Sequence, residues 1–191
     1  MSKTTDTSKY MALLLRHKPE QGRIVLDEQG YTDVRKLLDV LKITKKELDE
    51  IVRTDNKRRY SYNEDGTMIR ANQGHSVKNV HIDFKEFVPE GKIYHGTAMK
   101  YFDGISTQGL KPQTRQYVHL SKDYETAINV GMRHAKTEEN LLIYEIDVEK
   151  MLESGHKFYI SDNGVVLTDA VPVQCLKIIR GPKERSEDLE R

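Results

Sequence analysis

Apolar residues along the first part of the chain return every three or four positions and then switch to alternation. Met11, Leu14 and Leu15 mark one face of a helix that Thr7 or Ser8 can cap, with Pro19 soon after it. Thr32 is the expected cap of a second helix carrying Val34, Leu37, Leu38 and Leu41. Thr44 and Glu47 have capping-box spacing ahead of Leu48, Ile51 and Val52. Arg59-Tyr60-Ser61-Tyr62 then alternates, Asn63 to Gly66 supplies turn residues, and Thr67 to Arg70 returns as a strand. Three helices followed by a two-stranded ribbon is the order of a winged-helix module.

Beyond Phe84–Gly91, where Pro89 and Gly91 suggest a boundary, the pattern becomes strand-rich. Lys92–His95, Val118–Leu120, Leu141–Ile146, Phe158–Ile160, Val165–Leu167 and Leu176–Ile179 read as short strands. Helices are expected over Ala98–Ile105 and Asp123–His134. The mixture predicts an α+β fold with a mostly antiparallel sheet and no repeated βαβ unit. The expected division is a lobe over 1–83, a linker over 84–91, a second lobe over 92–183 and a charged, fraying tail over 184–191.

Composition narrows the class without choosing a function. The chain has 191 residues, 37% hydrophobic and 32% charged, enough for one ordinary domain or two small ones. Its net charge is +1; residues 1–90 carry 17 Lys+Arg against 15 Asp+Glu, so a nucleic-acid surface would need basic residues gathered by folding. One cysteine, Cys175, rules out an internal disulfide framework and a multi-cysteine zinc site. No apolar run approaches the roughly 18–20 residues of a membrane span. Lys3, Asp6 and Lys9 precede the first apolar stretch, so no secretory signal is expected. A cytoplasmic location, no membrane partner, no metal and a monomer are the resulting expectations.

Phosphate-loop and Rossmann glycine patterns are absent, as is a His-Glu-x-x-His pair. Chemistry-bearing residues instead collect at the ends of expected elements. Arg16-His17-Lys18-Pro19 closes the first helix, where complementarity to the helix dipole explains the cations equally well. Arg70 to Ser76, with Gln73, Gly74 and His75, can surround a phosphate or form a plain polar loop. Lys57-Arg58-Arg59 reads as a solvated basic run or a nucleic-acid backbone contact. Tyr94-His95-Gly96-Thr97 and Val118-His119-Leu120-Ser121 place histidines on two strands. Gly131-Met132-Arg133-His134 falls late in a helix.

Together with Asn163-Gly164-Val165-Val166-Leu167-Thr168 and Val171-Pro172, these stretches resemble the RNA (tRNA) 2′-phosphotransferase family from residue 8 to about 180. The resemblance implies a winged-helix RNA-binding lobe and an ADP-ribosyltransferase-like lobe, with NAD between them. It also implies NAD-dependent removal of an internal RNA 2′-phosphate from a tRNA-like substrate without a metal. The 2′-phosphate attacks NAD and expels nicotinamide, giving an ADP-ribosylated phosphate. The ribose 2″-hydroxyl then attacks phosphorus, leaving a 2′-OH and ADP-ribose 1″,2″-cyclic phosphate.

Carried over by position, the catalytic residues are Arg16, His17, Arg70 and Arg133. Guanidinium forks suit a dianionic nucleophile and a crowded phosphoryl transition state. The resemblance assigns His95, Gly96, Thr97, His119, Ser121 and Arg133 to NAD, and Lys18, Arg58, Arg59, Gln73, His75 and Ser76 to RNA. The transferase core's third position is apolar here, within Val165–Leu167. Val166, where an aromatic is expected, and Ala135, where glycine is common, depart from the family pattern without touching those residues. Two rival readings are an ADP-ribosyltransferase that leaves its adduct on a phosphorylated nucleic-acid end and a non-catalytic winged-helix binder. The latter gives no reason for His95, His119 and Arg133.

Overall fold

The computed structural model describes residues 3–181. The charged tail expected over 184–191 lies outside them. The chain forms mixed helices and antiparallel sheets divided between two compact units. The first comprises Met1–Lys85, Thr114–Gln116 and Ser161–Gly164; the second comprises Glu86–Gln113, Tyr117–Ile160 and Val165–Arg191.

In the first unit, α1 spans Lys3–Arg16 and buries Met11, Leu14 and Leu15 on one stripe. It starts before Thr7 and Ser8, so neither is its cap; the polar residues ahead of Met11 carry no apolar period that could reveal the extra turn. Helix α2 (Val34–Leu41) is capped by Asp33, whose carboxylate accepts from the amides of Arg35 and Lys36 at 2.7 and 3.3 Å. Thr32 is instead 2% exposed in a short strand, β1 (Tyr31–Asp33). A carboxylate is a better acceptor than a buried hydroxyl for N–H groups at a helix N-terminus. The Thr44–Glu47 capping box of α3 (Lys45–Thr54) is present in both directions.

Strands β2 (Tyr60–Tyr62) and β3 (Met68–Ala71) form the expected antiparallel hairpin, and β1 adds to the other edge of β3. Arg70 therefore lies on the central strand, opposite Tyr31 on one side and Ser61 on the other. Ile69 and Ala71, its neighbours along the strand, point into a core shared with Met11, Leu14, Leu15, Leu37 and Leu48. Burying each large aliphatic there is worth roughly 1.5–3 kcal/mol, which fixes the register and turns Arg70 to the opposite face.

Two further sheets follow, every strand residue of them in the second unit except Lys85. β5 (Ile93–Ala98), β7 (Leu141–Ile146) and β10 (Leu176–Arg180) follow the order β10-β7-β5. β4 (Lys85–Glu86), β8 (Tyr159–Ile160), β9 (Val166–Thr168) and β6 (Val118–Leu120) follow β4-β8-β9-β6. β4 lies within the stretch read as a linker. Tyr94 and Ser121 join β5 to the end of β6 by a pair of 2.8 Å backbone hydrogen bonds. Ala98 remains in β5, and α4 (Phe102–Gln108) begins only after a 3₁₀ turn over Met99–Tyr101.

Helix α5 (Tyr124–Ala135), capped by Asp123, packs on β5 and β7. Helix α6 (Val148–Glu153), capped by Asp147, was not expected; its single turn and a half carries too few apolar positions to show a period. Leu142, Tyr144, Ile146, Met151, Phe158 and Val166 anchor the main core of this unit.

Candidate active site

The C-terminal turn of α1 presents Arg16 and His17 to the loop that leaves β3. The Ser76 amide donates to the Arg16 carbonyl oxygen at 2.9 Å, and His17 Nδ1 shares a 2.9 Å hydrogen bond with Ser76 Oγ. Gly74, at φ +87°, lets the loop turn back at this point, a conformation that L side chains rarely adopt. The next residue, His75, is 2% exposed. Arg70 reaches the same cluster from the central strand. Its Nη2 donates to Asp162 Oδ2 at 2.7 Å and its Nη1 to the Gln29 carbonyl oxygen at 3.3 Å, while its guanidinium lies 4.7 Å from the Tyr31 ring centroid.

Several polar nitrogens in this cluster, guanidinium donors among them, are left over. Nε and Nη2 of Arg16, Nε of Arg70 and Nε2 of His75 are buried with no hydrogen-bond partner among the described residues. Leaving a buried donor unsatisfied costs about 1–3 kcal/mol per group, more for a charged one. Burial pushes the Arg16 guanidinium down to about 10, with Arg59 and Arg115 repelling it and Tyr60 and Asp55 opposing them. Burial and the nearby Arg16, His17 and Arg70 push His75 down to about 4, so its ring is neutral at pH 7. His17 moves down for like reasons: partial desolvation first, then Arg16 and Arg115. A dianion is the ligand that relieves all of these at once.

The residues expected to meet RNA fall into different environments. Lys18 and Arg58 are exposed, while Gln73 and Ser76 are half-buried. Arg59 is held by the Asp55 carboxylate, which also accepts from the Arg59 amide at 2.6 Å. His75 is enclosed, with Nε2 and Cε1 packed beside Gly30.

In the second unit, β5, β6 and α5 carry the other expected residues. His95 Nδ1 donates to the His119 carbonyl oxygen at 3.1 Å, which fixes the tautomer and leaves Nε2 as an acceptor. Burial lowers the His95 pKa; the His119 carbonyl opposes that shift and His134 adds to it. Ser121 joins the same place through its backbone bonds to Tyr94. Thr97 is buried on β5, and Arg133 is exposed on α5. Gly96 has a packing reason for being glycine: an added Cβ would stand 1.8 Å from the Ala127 carbonyl oxygen of α5. In register, His119 pairs with Leu167, so an apolar, fully buried residue stands next to it on β9.

Three groups at the first cluster escaped sequence reasoning. Asp162 had no signal of its own, although it adjoins the Asn163-Gly164 stretch. Arg115, which bears on both Arg16 and His17, lies in a loop without periodicity. Gln29 contributes through its backbone, which no side-chain pattern reveals. Among the described residues, no group of three or more His, Cys, Asp or Glu is arranged to hold a metal, and no helix is long and apolar enough to cross a membrane.

The fold and these donors define an α+β protein with a candidate oxyanion centre built from arginine and histidine. The profile of the RNA 2′-phosphotransferase, Tpt1 / KptA family matches residues 2–170. A protein of Fusobacterium nucleatum subsp. nucleatum named "Probable RNA 2′-phosphotransferase" is 43% identical over 182 residues, 93% of this chain and 99% of its own length. The protein of Escherichia coli strain K12 named "RNA 2′-phosphotransferase" is 43% identical over 177 residues, 90% of this chain and 94% of its own. The chain belongs to the RNA 2′-phosphotransferase, Tpt1 / KptA family.

Proposed function

We propose that this protein is an NAD-dependent RNA 2′-phosphotransferase acting on RNA with an internal 2′-phosphate. The observation that carries the reading is the set of buried, unpartnered N–H groups on Arg16 and Arg70 beside His17 and His75. A phosphate monoester carries close to two charges near neutral pH and offers three acceptor oxygens, which matches that donor set. In this reading the first unit is a winged-helix RNA-binding lobe and the second an ADP-ribosyltransferase-like lobe. The protein works as a cytoplasmic monomer.

NAD serves as a consumed co-substrate and supplies an electrophilic ribose carbon with nicotinamide as leaving group. Arg16 and Arg70 hold the RNA 2′-phosphate and keep one oxygen directed at that carbon. The C–O bond forms as the glycosidic C–N bond breaks. The ribose 2″-hydroxyl then attacks phosphorus, and the RNA 2′-oxygen departs and takes up a proton. His17, next to Ser76 Oγ, is suited to move a proton or donate a hydrogen bond in that step. Arg133 adds a further guanidinium for the transition-state charge. Losing one such contact costs about 3–4 kcal/mol in the transition state.

The fit to NAD rests on His95. A neutral ring with Nδ1 engaged presents Nε2 as an acceptor, which suits a ribose hydroxyl or a carboxamide N–H. Gly96, Thr97, His119 and Ser121 complete the group in this reading. Lys18, Arg58, Arg59, Gln73, His75 and Ser76 line the RNA side.

The test is incubation with NAD and an RNA carrying one internal 2′-phosphate, without added metal, following RNA and nicotinamide together. Loss of the 2′-phosphate with stoichiometric nicotinamide and ADP-ribose cyclic phosphate is the expected result. A stable RNA–ADP-ribose adduct favours the transferase rival. Binding of RNA without NAD consumption favours the non-catalytic one.

A further inference from the structure

We propose that Asp162 is a positioning residue that holds the Arg70 guanidinium with its unpartnered Nε–H kept for the RNA 2′-phosphate. The inference rests on the phosphotransferase reading and adds a residue to it. Arg70 is constrained on three sides, by Asp162, by the Gln29 carbonyl oxygen and by the Tyr31 ring. Each Nη keeps a second N–H, and Nε is the one guanidinium nitrogen that is buried with no partner among the described residues. An arginine side chain carries about 2 kcal/mol of rotamer entropy, and fixing it before the substrate arrives removes that cost from the chemical step.

Asp162 is itself fixed from both flanks. Ser161 is 4% exposed and its hydroxyl donates to Asn163 Oδ1 at 2.7 Å. Asn163 Nδ2 donates to the Lys57 carbonyl oxygen at 2.9 Å, and the Gly164 amide to the Ser161 carbonyl oxygen at 2.8 Å. A loop pinned this way places its carboxylate instead of letting it wander. Stability is a weak reason for the pair: the Asp162 side chain is 53% exposed against 13% for Arg70, so water screens the carboxylate end. Asp162 also uses one oxygen on one nitrogen, Nη2, so it leaves the Nε–H without an acceptor, unlike a bidentate anion that would occupy the fork.

The alternative role, a resident anion that competes with the substrate, has the opposite sign in an experiment. Affinities of the full-length protein for matched RNAs with and without the 2′-phosphate are measured without NAD, for wild type, Asp162→Asn and Asp162→Ala. Positioning predicts that the preference for the 2′-phosphate falls about tenfold in D162A, or 1.4 kcal/mol, and less in D162N, which keeps an acceptor oxygen. Affinity for the unmodified RNA stays the same, and so do the thermal midpoints. Equal preference in all three proteins, or tighter 2′-phosphate binding in both variants, overturns the proposal. A general loss of affinity for both RNAs with a lowered midpoint also overturns it, because the role is then structural. A wild type that neither prefers nor turns over the 2′-phosphate overturns the functional reading first, and the inference with it.

Discussion

Gly96 and Ala127 meet backbone to backbone: the Ala127 carbonyl oxygen occupies the place where a Cβ on residue 96 would lie, 1.8 Å away. Gly131, one helical turn further along α5, faces the same strand: its added Cβ would stand 3.1 Å from the Gly96 carbonyl carbon and the Thr97 nitrogen, and 2.5 Å from the Leu141 Cδ1 side-chain tip. Helix α5 can therefore lie flush on β5, keeping the strand that carries His95 and Thr97 rigid. Gly96→Ala should destabilise the protein by about 3 kcal/mol or more, because a backbone carbonyl cannot rotate away as a side chain can. A urea titration should show a clearly lower midpoint; an unchanged one would mean that α5 shifts without cost.

Acid should weaken the fold through His75. Its folded-state value of about 4 lies below the ordinary 6.5, so between those pH values the unfolded chain binds a proton that the folded one refuses. The stabilising contribution is complete above about pH 6.5 and is lost as pH falls toward 4, amounting to about 3 kcal/mol. His17 and His95 are shifted the same way and add to the slope. His75→Gln should flatten the dependence of unfolding free energy on pH in that window. An identical slope in wild type and variant would remove His75 as its source.

Arg16 is expected to oppose stability while serving function. Its guanidinium is desolvated and two of its nitrogens lack partners. Arg16→Met keeps the hydrophobic stem and removes the buried charge, so it should raise stability by about 1–3 kcal/mol. The same variant should lose at least about 100-fold in turnover of 2′-phosphorylated RNA. A destabilised variant would show that Arg16 is satisfied in solution.

Simple oxyanions should already report on this centre. Inorganic phosphate at a hundred times its dissociation constant should stabilise the protein by about 2.7 kcal/mol over chloride at equal ionic strength. A thermal-shift series reads this directly, and the increment should disappear in Arg70→Ala. Equal shifts in both proteins would place phosphate elsewhere.

Much of this architecture was legible in the sequence, for local reasons. The Thr44–Glu47 capping box, the Asp123-capped helix and the apolar run Leu141–Ile146 are each determined by residues a few positions apart. Where the reading slipped, the deciding contact was distant or the signal short. Strand β1 is three residues long and exists because β3 lies beside it, and Asp33 outcompetes Thr32 only once Thr32 is buried there. The motif strings supplied Arg16, His17, Arg70 and Ser76. The partners that set their electrostatics come from loops with no period at all: Asp162 for Arg70, Arg115 for Arg16 and His17.

The Arg70–Asp162 pair spans 92 positions of chain. On a ribosome adding about 5–20 residues per second, Arg70 emerges roughly 5–20 s before its carboxylate exists. The helices and hairpin of the nascent first unit can form in that interval, but its arginine cluster cannot be complete. Any fragment that stops short of residue 162 inherits this unfinished state permanently, so the capacity to discriminate a 2′-phosphate should be acquired late in synthesis and be absent from shorter products.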